Sequence, residues 1–260
     1  MTLFSQATPL EKELAHLQRR EDALMNRRWS RKEPLVSRAL EGKVPDKLRS
    51  ALEQAFSKGF SLVFEKGSTY IEKTLGKAKR EDEFFTNRAA LDADRDRGAL
   101  RSFPRQAKKA GLGNTLISTA LGLGMGVFGL GIPDIPIFTA MIFKSLYEIA
   151  MSYGYKHDSD EERIFILMLI RGAMSSGDEA LGINGRINRF IDQGSWPEDT
   201  TLEDCESAAA AALSEELLYI KFIQGLPVVG IVGGAANAVY MERISGYADL
   251  KYHRRFLLGL

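Results

Sequence analysis

Apolar side chains recur three or four positions apart along most of this chain, and strict alternation is absent, so the pattern predicts helices throughout. Leu48, Leu52, Phe56, Phe60, Phe64 and Ile71, joined by Val63 and Leu75, form one stripe on a long amphipathic helix that starts at Pro45. Such a stripe is expected to face a core, with a membrane-lying helix as the alternative. Thr8-Pro9-Leu10-Glu11 supplies a capping hydroxyl, a proline at the first helical position and an acid three residues after the cap, so a helix should run from there to about Arg28. Ser159-Asp160-Glu161-Glu162 and Thr200-Thr201-Leu202-Glu203 predict two further starts. The first helix carries Ile164, Phe165, Leu167, Met168 and Leu169, with Gly172 and Gly177 as possible weak points; the second is alanine-rich and ends near Gly225.

Two runs depart from this amphipathic pattern. Asn114 to Pro133 and Phe222 to Met241 carry no charge until Asp134 and Glu242. The first approaches the length that crosses a bilayer, roughly 20 helical residues. Leu121 to Phe138, LGLGMGVFGLGIPDIPIF, reads as a close-packing helix, a proline-defined turn and the start of a second helix over about Ile135 to Tyr153. Asp134 would cap that helix; the alternative is a functional buried carboxylate. Gly122 and Gly126 lie one turn apart, as do Gly230 and Gly234, and such pairs let another backbone approach closely. Residues 76–110 are charged and poor in large apolar groups, and are expected to be a linker or solvated helical segments. The fold class expected is all-α: a compact helical bundle with two Gly/Pro-containing hydrophobic hairpins. Residues 1–44 would form a basic N-terminal extension and residues 45–260 the helical domain.

Composition changes the picture only where it is uneven. The 260 residues carry a net charge of +1. Residues 1–110 hold 24 Lys+Arg against 16 Asp+Glu, and the remainder 11 against 18. This segregation favours docking of one part on the other or a basic face turned toward an anionic partner. A single cysteine, Cys205, excludes an internal disulfide and fits a reducing compartment. The start, MTLFSQATPLEKEL, lacks the basic and apolar regions of a secretory signal, so a cytoplasmic location is expected.

The motifs that resemble chemistry fail on their context. Gly124 to Gly129 matches G-x-G-x-x-G with Glu148 about twenty residues on, but Pro133 and Pro136 would interrupt the helix that must meet a pyrophosphate. Asp92, Asp94 and Asp96 begin like a calcium loop, yet Arg97 and Phe103 stand where glycine and glutamate are required. His157-Asp158-Ser159-Asp160 reads as a helix cap. His16 and His253 lie in charged helical contexts without metal spacing, and Cys205 sits among acids that would raise its pKa. No catalytic residue, cofactor or metal site is expected, and no nucleic acid.

GLGIPDIPIFTAMIFKSLYEIAMSYGY is similar to the glycine, proline-Asp-x-proline and helix pattern of the EcsC family of bacterial proteins, LPVVGIVGGAANAVYMERISGYADLKYHRRFL resembles its C-terminal block, and the helix after Pro45 fits that family's amphipathic N-terminal part. The resemblance covers roughly Pro45 to Leu260. It implies a cytoplasmic, membrane-associated role, since the family takes its name from a protein encoded beside an ABC transporter, and it supplies no active-site residues.

The function expected is therefore a non-enzymatic interaction protein, peripheral at the inner face of the cytoplasmic membrane, that modulates an ABC transporter or another membrane assembly. Arg27, Arg28, Trp29, Arg31 and Lys32, with Lys77, Lys79 and Arg80, would approach an anionic membrane surface. The C-terminal stretch Tyr247 to Phe256 sets aromatics beside cations, which suits a headgroup boundary or a solvated helix. A lipid or small apolar ligand carrier is the alternative, with Asp134, Tyr147, Asn237 and Tyr240 as polar fixings. A hydrolase using Asp134 with His157 or His253 is the third reading.

Overall fold

The computed structural model describes residues 7–30, 45–67, 76–108, 135–223 and 234–260. Helix is the sole regular structure among them. In chain order the helices are α1 (Pro9–Ser30), α2 (Asp46–Leu62), α3 (Lys77–Ala93), α4 (Arg97–Leu100), α5 (Ile135–Ser152), α6 (Asp160–Met174), α7 (Gly177–Gln193), α8 (Leu202–Ile223) and α9 (Gly234–Leu258). A π-helical turn, Val63–Gly67, continues α2, and residues 102–108 form a further helical stretch after α4.

The predicted caps set the helix starts. The Thr8 amide donates to Glu11 Oε2 at 2.7 Å and the Glu11 amide to Thr8 Oγ1 at 3.2 Å, a reciprocal box that satisfies two amide donors at the start of α1. Ser159 Oγ accepts from the Glu162 amide at the head of α6, and Thr201 Oγ1 from the Asp204 amide at the head of α8. The stripe on α2 does face the core: Leu52, Phe56, Phe60 and Val63 are buried. Ile71, Leu75 and the glycine-rich stretch from Leu121 to Asp134 lie outside the described residues, as do Gly122, Gly126 and Gly230.

Helix α9 is the hub. It packs on α1, α5, α6 and α7, while α8 lies against α2 and α6, and α5 against α2 and α3. Successive contacts give the directions. Phe138 meets Tyr240, Ser145 Oγ shares a 2.9 Å hydrogen bond with Ser245 Oγ, and Tyr153 donates to Asp249, so α5 and α9 run parallel. Arg28 lies over Tyr247 and Glu21 holds Lys251, so α1 runs antiparallel to α9.

Two expectations need correction. Of the two alternatives for residues 76–110, the described residues 76–108 take the helical one and not the linker, and they are solvated only in part. Leu91, Leu100, Phe103 and Ala107 are buried, and Phe84 packs on Phe103 while Phe85 is left 64% exposed. Few apolar residues suffice there because they fall on one face of consecutive helical turns. Nor is the C-terminal stretch a boundary helix: Tyr247, Ala248, Asp249, Leu250, Lys251, Tyr252, His253 and Phe256 are all buried. Helix α1 packs on α7 and α9.

Part of the charge segregation is spent internally. Arg20, Arg49 and Arg80, from the basic part, approach Asp249, Glu215 and Glu148 of the acidic part at 3.7, 3.6 and 3.6 Å.

Candidate functional site

The chemistry-bearing side chains that the fold gathers lie along α9, each answered from a different helix. At its first turns, Tyr240 donates to the Glu216 carbonyl at 3.0 Å, and Arg243 joins the Glu216 carboxylate to the Ala173 carbonyl. At the next level Tyr247 donates to Asn184 Oδ1 at 2.8 Å, and Arg28 covers the Tyr247 ring while donating to the Gly172 carbonyl. Gly172 permits this because a Cβ there would stand 2.9 Å from the Tyr247 ring.

One turn further, Lys251 is 0% exposed. Its Nζ donates to Glu21 Oε1 at 2.8 Å and to Asn188 Oδ1 at 2.6 Å, while Asn184 and Asn188 donate to the same Glu21 oxygen at 2.8 and 2.7 Å. Burial opposes the charge on both partners: it pulls Lys251 down to about 8, while the lysine charge and three hydrogen bonds hold Glu21 below the usual carboxylate range. On another face, Glu162 accepts from Tyr252 and Arg255 at 2.6 Å each, and Arg255 is packed against the rings of Tyr155, Phe165 and Phe190. Apart from Glu21 Oε2, which has no hydrogen-bond partner among the described residues, these groups bond one another and build a core.

The last level differs. Tyr153 donates to Asp249 Oδ1 at 2.6 Å, but Asp249 Oδ2 meets only Arg20, at 3.7 Å, and burial raises the pKa of this carboxyl. Glu13 accepts from Arg101 Nε at 3.0 Å and Arg97 NH2 at 3.3 Å; burial alone would raise its pKa, and the two guanidiniums hold it down. His253, stacked on Tyr153, is 1% exposed with neither ring nitrogen hydrogen-bonded. Burial lowers its pKa to about 4, with Glu13 opposing and Arg20, His16 and Arg101 adding to the effect. Sequence reasoning passed over Glu13, Arg20, Arg97, Arg101 and Asp249, since no local pattern joins residues from three separate helical segments.

The residues singled out from the sequence are dispersed. Asp134, Arg31 and Lys32, and the side chains of Trp29 and Asn237, lie outside the described residues. Tyr147 is buried, stacked on His157 at 4.0 Å, and Tyr240 is buried at the α8–α9 contact. Arg28 is turned inward, whereas Arg27, Lys77 and Lys79 are exposed. His157 and His253 stack on different tyrosines of α5 and its end. Asp96 caps α4, accepting from the Ala99 amide, and Asp92 pairs with Arg88. Cys205 is buried, and it is burial more than its acidic neighbours that raises its pKa. Among the described residues no group of three or more His, Cys, Asp or Glu is placed to hold a metal ion. Helix α5 is the described helix long and apolar enough to cross a bilayer, but 72% of it is buried inside the protein, as in a core helix.

The chain is 26% identical over 231 residues to Protein EcsC of Bacillus subtilis (strain 168), covering 86% of this chain and 95% of that protein. It is also 28% identical over 151 residues to the uncharacterized protein YdbA of the same organism, covering 55% of this chain and 53% of that one. No solved structure matches it. The model of the EcsC protein family matches residues 10–257, which takes in α1 as well as the two blocks around α5 and α9. With nearly its whole length matched, this chain belongs to the EcsC protein family.

Proposed function

We propose that the protein is a non-enzymatic interaction protein, peripheral at the inner face of the cytoplasmic membrane, that acts on a transporter or another membrane assembly. One arrangement carries the reading. The first uncharged run ends where α5 begins in the sequence and the second ends within the first turns of α9; these helices are parallel, so their first turns stand at the same end of the body. At that end Ile137 and Val239 are 45% and 47% exposed, and Leu62, at the end of α2, is 37% exposed. Gly59 of α2 lies against Thr139, which places the end of α2 beside the start of α5. Large apolar side chains gathered at one pole are suited to an apolar partner surface. Arg27, exposed near the end of antiparallel α1, adds a cation on that side, worth at most about 1 kcal/mol toward anionic lipid.

Flotation with anionic vesicles tests the reading. The full chain is expected to float with vesicles at low salt, and the double substitution Ile137→Asp with Val239→Asp to return it to the soluble fraction. A chain that stays with the soluble fraction at low salt overturns it.

A further inference from the structure

We propose that the junction of α1, the α4 segment and the C-terminal part of α9 binds a phosphate-class anion, held by Arg20, Arg97, Arg101 and His253. The site is independent of the apolar pole, because it lies at the opposite end of α9.

The charge balance comes first. Arg20 from α1 and Arg97 and Arg101 from the α4 segment surround Glu13 and Asp249, and Lys108 adds its field at Asp249. Cations therefore outnumber carboxylates. Arg97 and Arg101 each give Glu13 one hydrogen bond out of the five N–H donors a guanidinium carries. Glu13 thus orients the two forks without exhausting them. Their side chains, with those of Arg20 and His16, are 37–44% exposed, so solutes reach the cations from outside.

His253 supplies the second, independent observation. A fully buried imidazole with neither nitrogen bonded is costly, since a polar group taken from water without a partner forfeits its hydrogen bonds. Tyr153, on which its ring stacks, also donates to Asp249 and packs on Phe103 of the helical stretch after α4, and this sets His253 at the same junction. Three guanidinium forks and an imidazole suit the oxygens of a tetrahedral oxyanion. Asp249 Oδ2 is a buried acceptor without a hydrogen bond, so it favours an anion that still carries an O–H. Hydrogen phosphate or a phosphate monoester has that donor and sulfate does not. The phosphate group of a free solute and that of a lipid headgroup share this chemistry.

The test follows the imidazole NMR signals of the full chain, free of lipid and detergent, during titration with inorganic phosphate at constant ionic strength. His157, stacked on Tyr147 away from the junction, is the internal control. The signals of His253 and His16 are expected to shift saturably while that of His157 stays, sulfate is expected to bind more weakly, and Arg101→Gln to weaken phosphate about tenfold or more. Should Arg101→Gln fail to fold, Arg97→Gln replaces it, being the more exposed fork. A second titration with vesicles containing phosphatidic acid assigns the source: His253 shifts seen only there support a lipid headgroup. Absence of a saturable His253 shift in both titrations overturns the proposal, as does a shift that the arginine substitutions leave unchanged.

Discussion

Helices α5 and α9 lie side by side, run in the same direction and are buried to a similar degree, yet their sequences have almost nothing in common. Helix α5 carries two charged residues, Lys144 and Glu148, and it packs chiefly through Phe138, Ile142, Phe143, Leu146 and Ile149. Helix α9 places Asp249, Lys251 and His253 in the same interior. The first is driven inward by the surface it removes from water, at about 25 cal/mol per Å². The second buries apolar side chains too, Met241, Ile244, Leu250 and Phe256 among them, and it is held in addition because Arg243, Lys251 and Arg255 are matched by groups on α8, on α1 and α7, and on α6. Burial in an apolar helix tolerates changes that keep volume, whereas burial of a charge fails as soon as one partner is removed.

The sharpest way to break the comparison is Glu21→Ala. It leaves Lys251 in the interior without its counter-charge and takes the acceptor from Asn184 and Asn188. A loss of about 3–5 kcal/mol is expected in urea unfolding, as for a broken buried pair. Glu21→Leu combined with Lys251→Met should recover much of it, because no charge then remains to be buried. If the single and double variants unfold at the same urea concentration, α9 is not held by charge matching and the contrast with α5 collapses.

A smaller effect, on the order of 3 kcal/mol at most, is expected from His253 through its depressed pKa. Between pH 6.5 and about 4 the unfolded chain takes up a proton that the folded chain refuses. Stability is therefore full above pH 6.5 and falls as the pH drops toward 4. His253→Phe should flatten this slope between pH 6.5 and 4.5 in urea titrations. An unchanged slope in the variant would assign the acid sensitivity to other groups.

These two helices also show how far a sequence can be read. The Thr8, Ser159 and Thr201 caps were legible because a cap is decided within four residues, and the α2 stripe because its period spans consecutive turns of one helix. The family, too, was visible in the blocks around α5 and α9. What stayed hidden depends on distance along the chain. Lys251 and Glu21 are 230 residues apart, and until they are brought together Lys251 looks like a residue of a solvated helix. The same holds for Arg28, whose partners Gly172 and Tyr247 belong to α6 and α9. Residues 76–108 misled for the converse reason: their charges were counted, while the four buried side chains that fix them were too few to shift a composition.

The contact between α6 and α9 offers a finer probe, because it depends on the shape of a single residue. Gly172→Ala would place a Cβ 2.9 Å from the Tyr247 ring and 3.1 Å from Ile183 Cγ2. The ring is also tied to Asn184 and covered by Arg28, so it has little freedom to retreat. Overpacking of this kind costs about 1–3 kcal/mol, against which alanine returns up to about 1 kcal/mol of helix propensity. A lower urea midpoint is the expected outcome, and a higher one would mean that the interface is loose.

At the other end of α9, where apolar packing takes over from charge matching, Tyr240→Phe should produce the smallest change. The substitution removes the hydroxyl that donates to the Glu216 carbonyl at 3.0 Å while keeping the ring beside Phe138. One neutral hydrogen bond contributes about 1 kcal/mol net. The ring continues to exclude water, so most of the stabilisation from Tyr240 should survive. A loss near that of Glu21→Ala would show that polar bonding governs α9 along its whole length. A loss of about 1 kcal/mol or less in urea unfolding would place the change from polar to apolar packing between Tyr240 and Tyr247, just where the uncharged run gives way to the charged end of the helix.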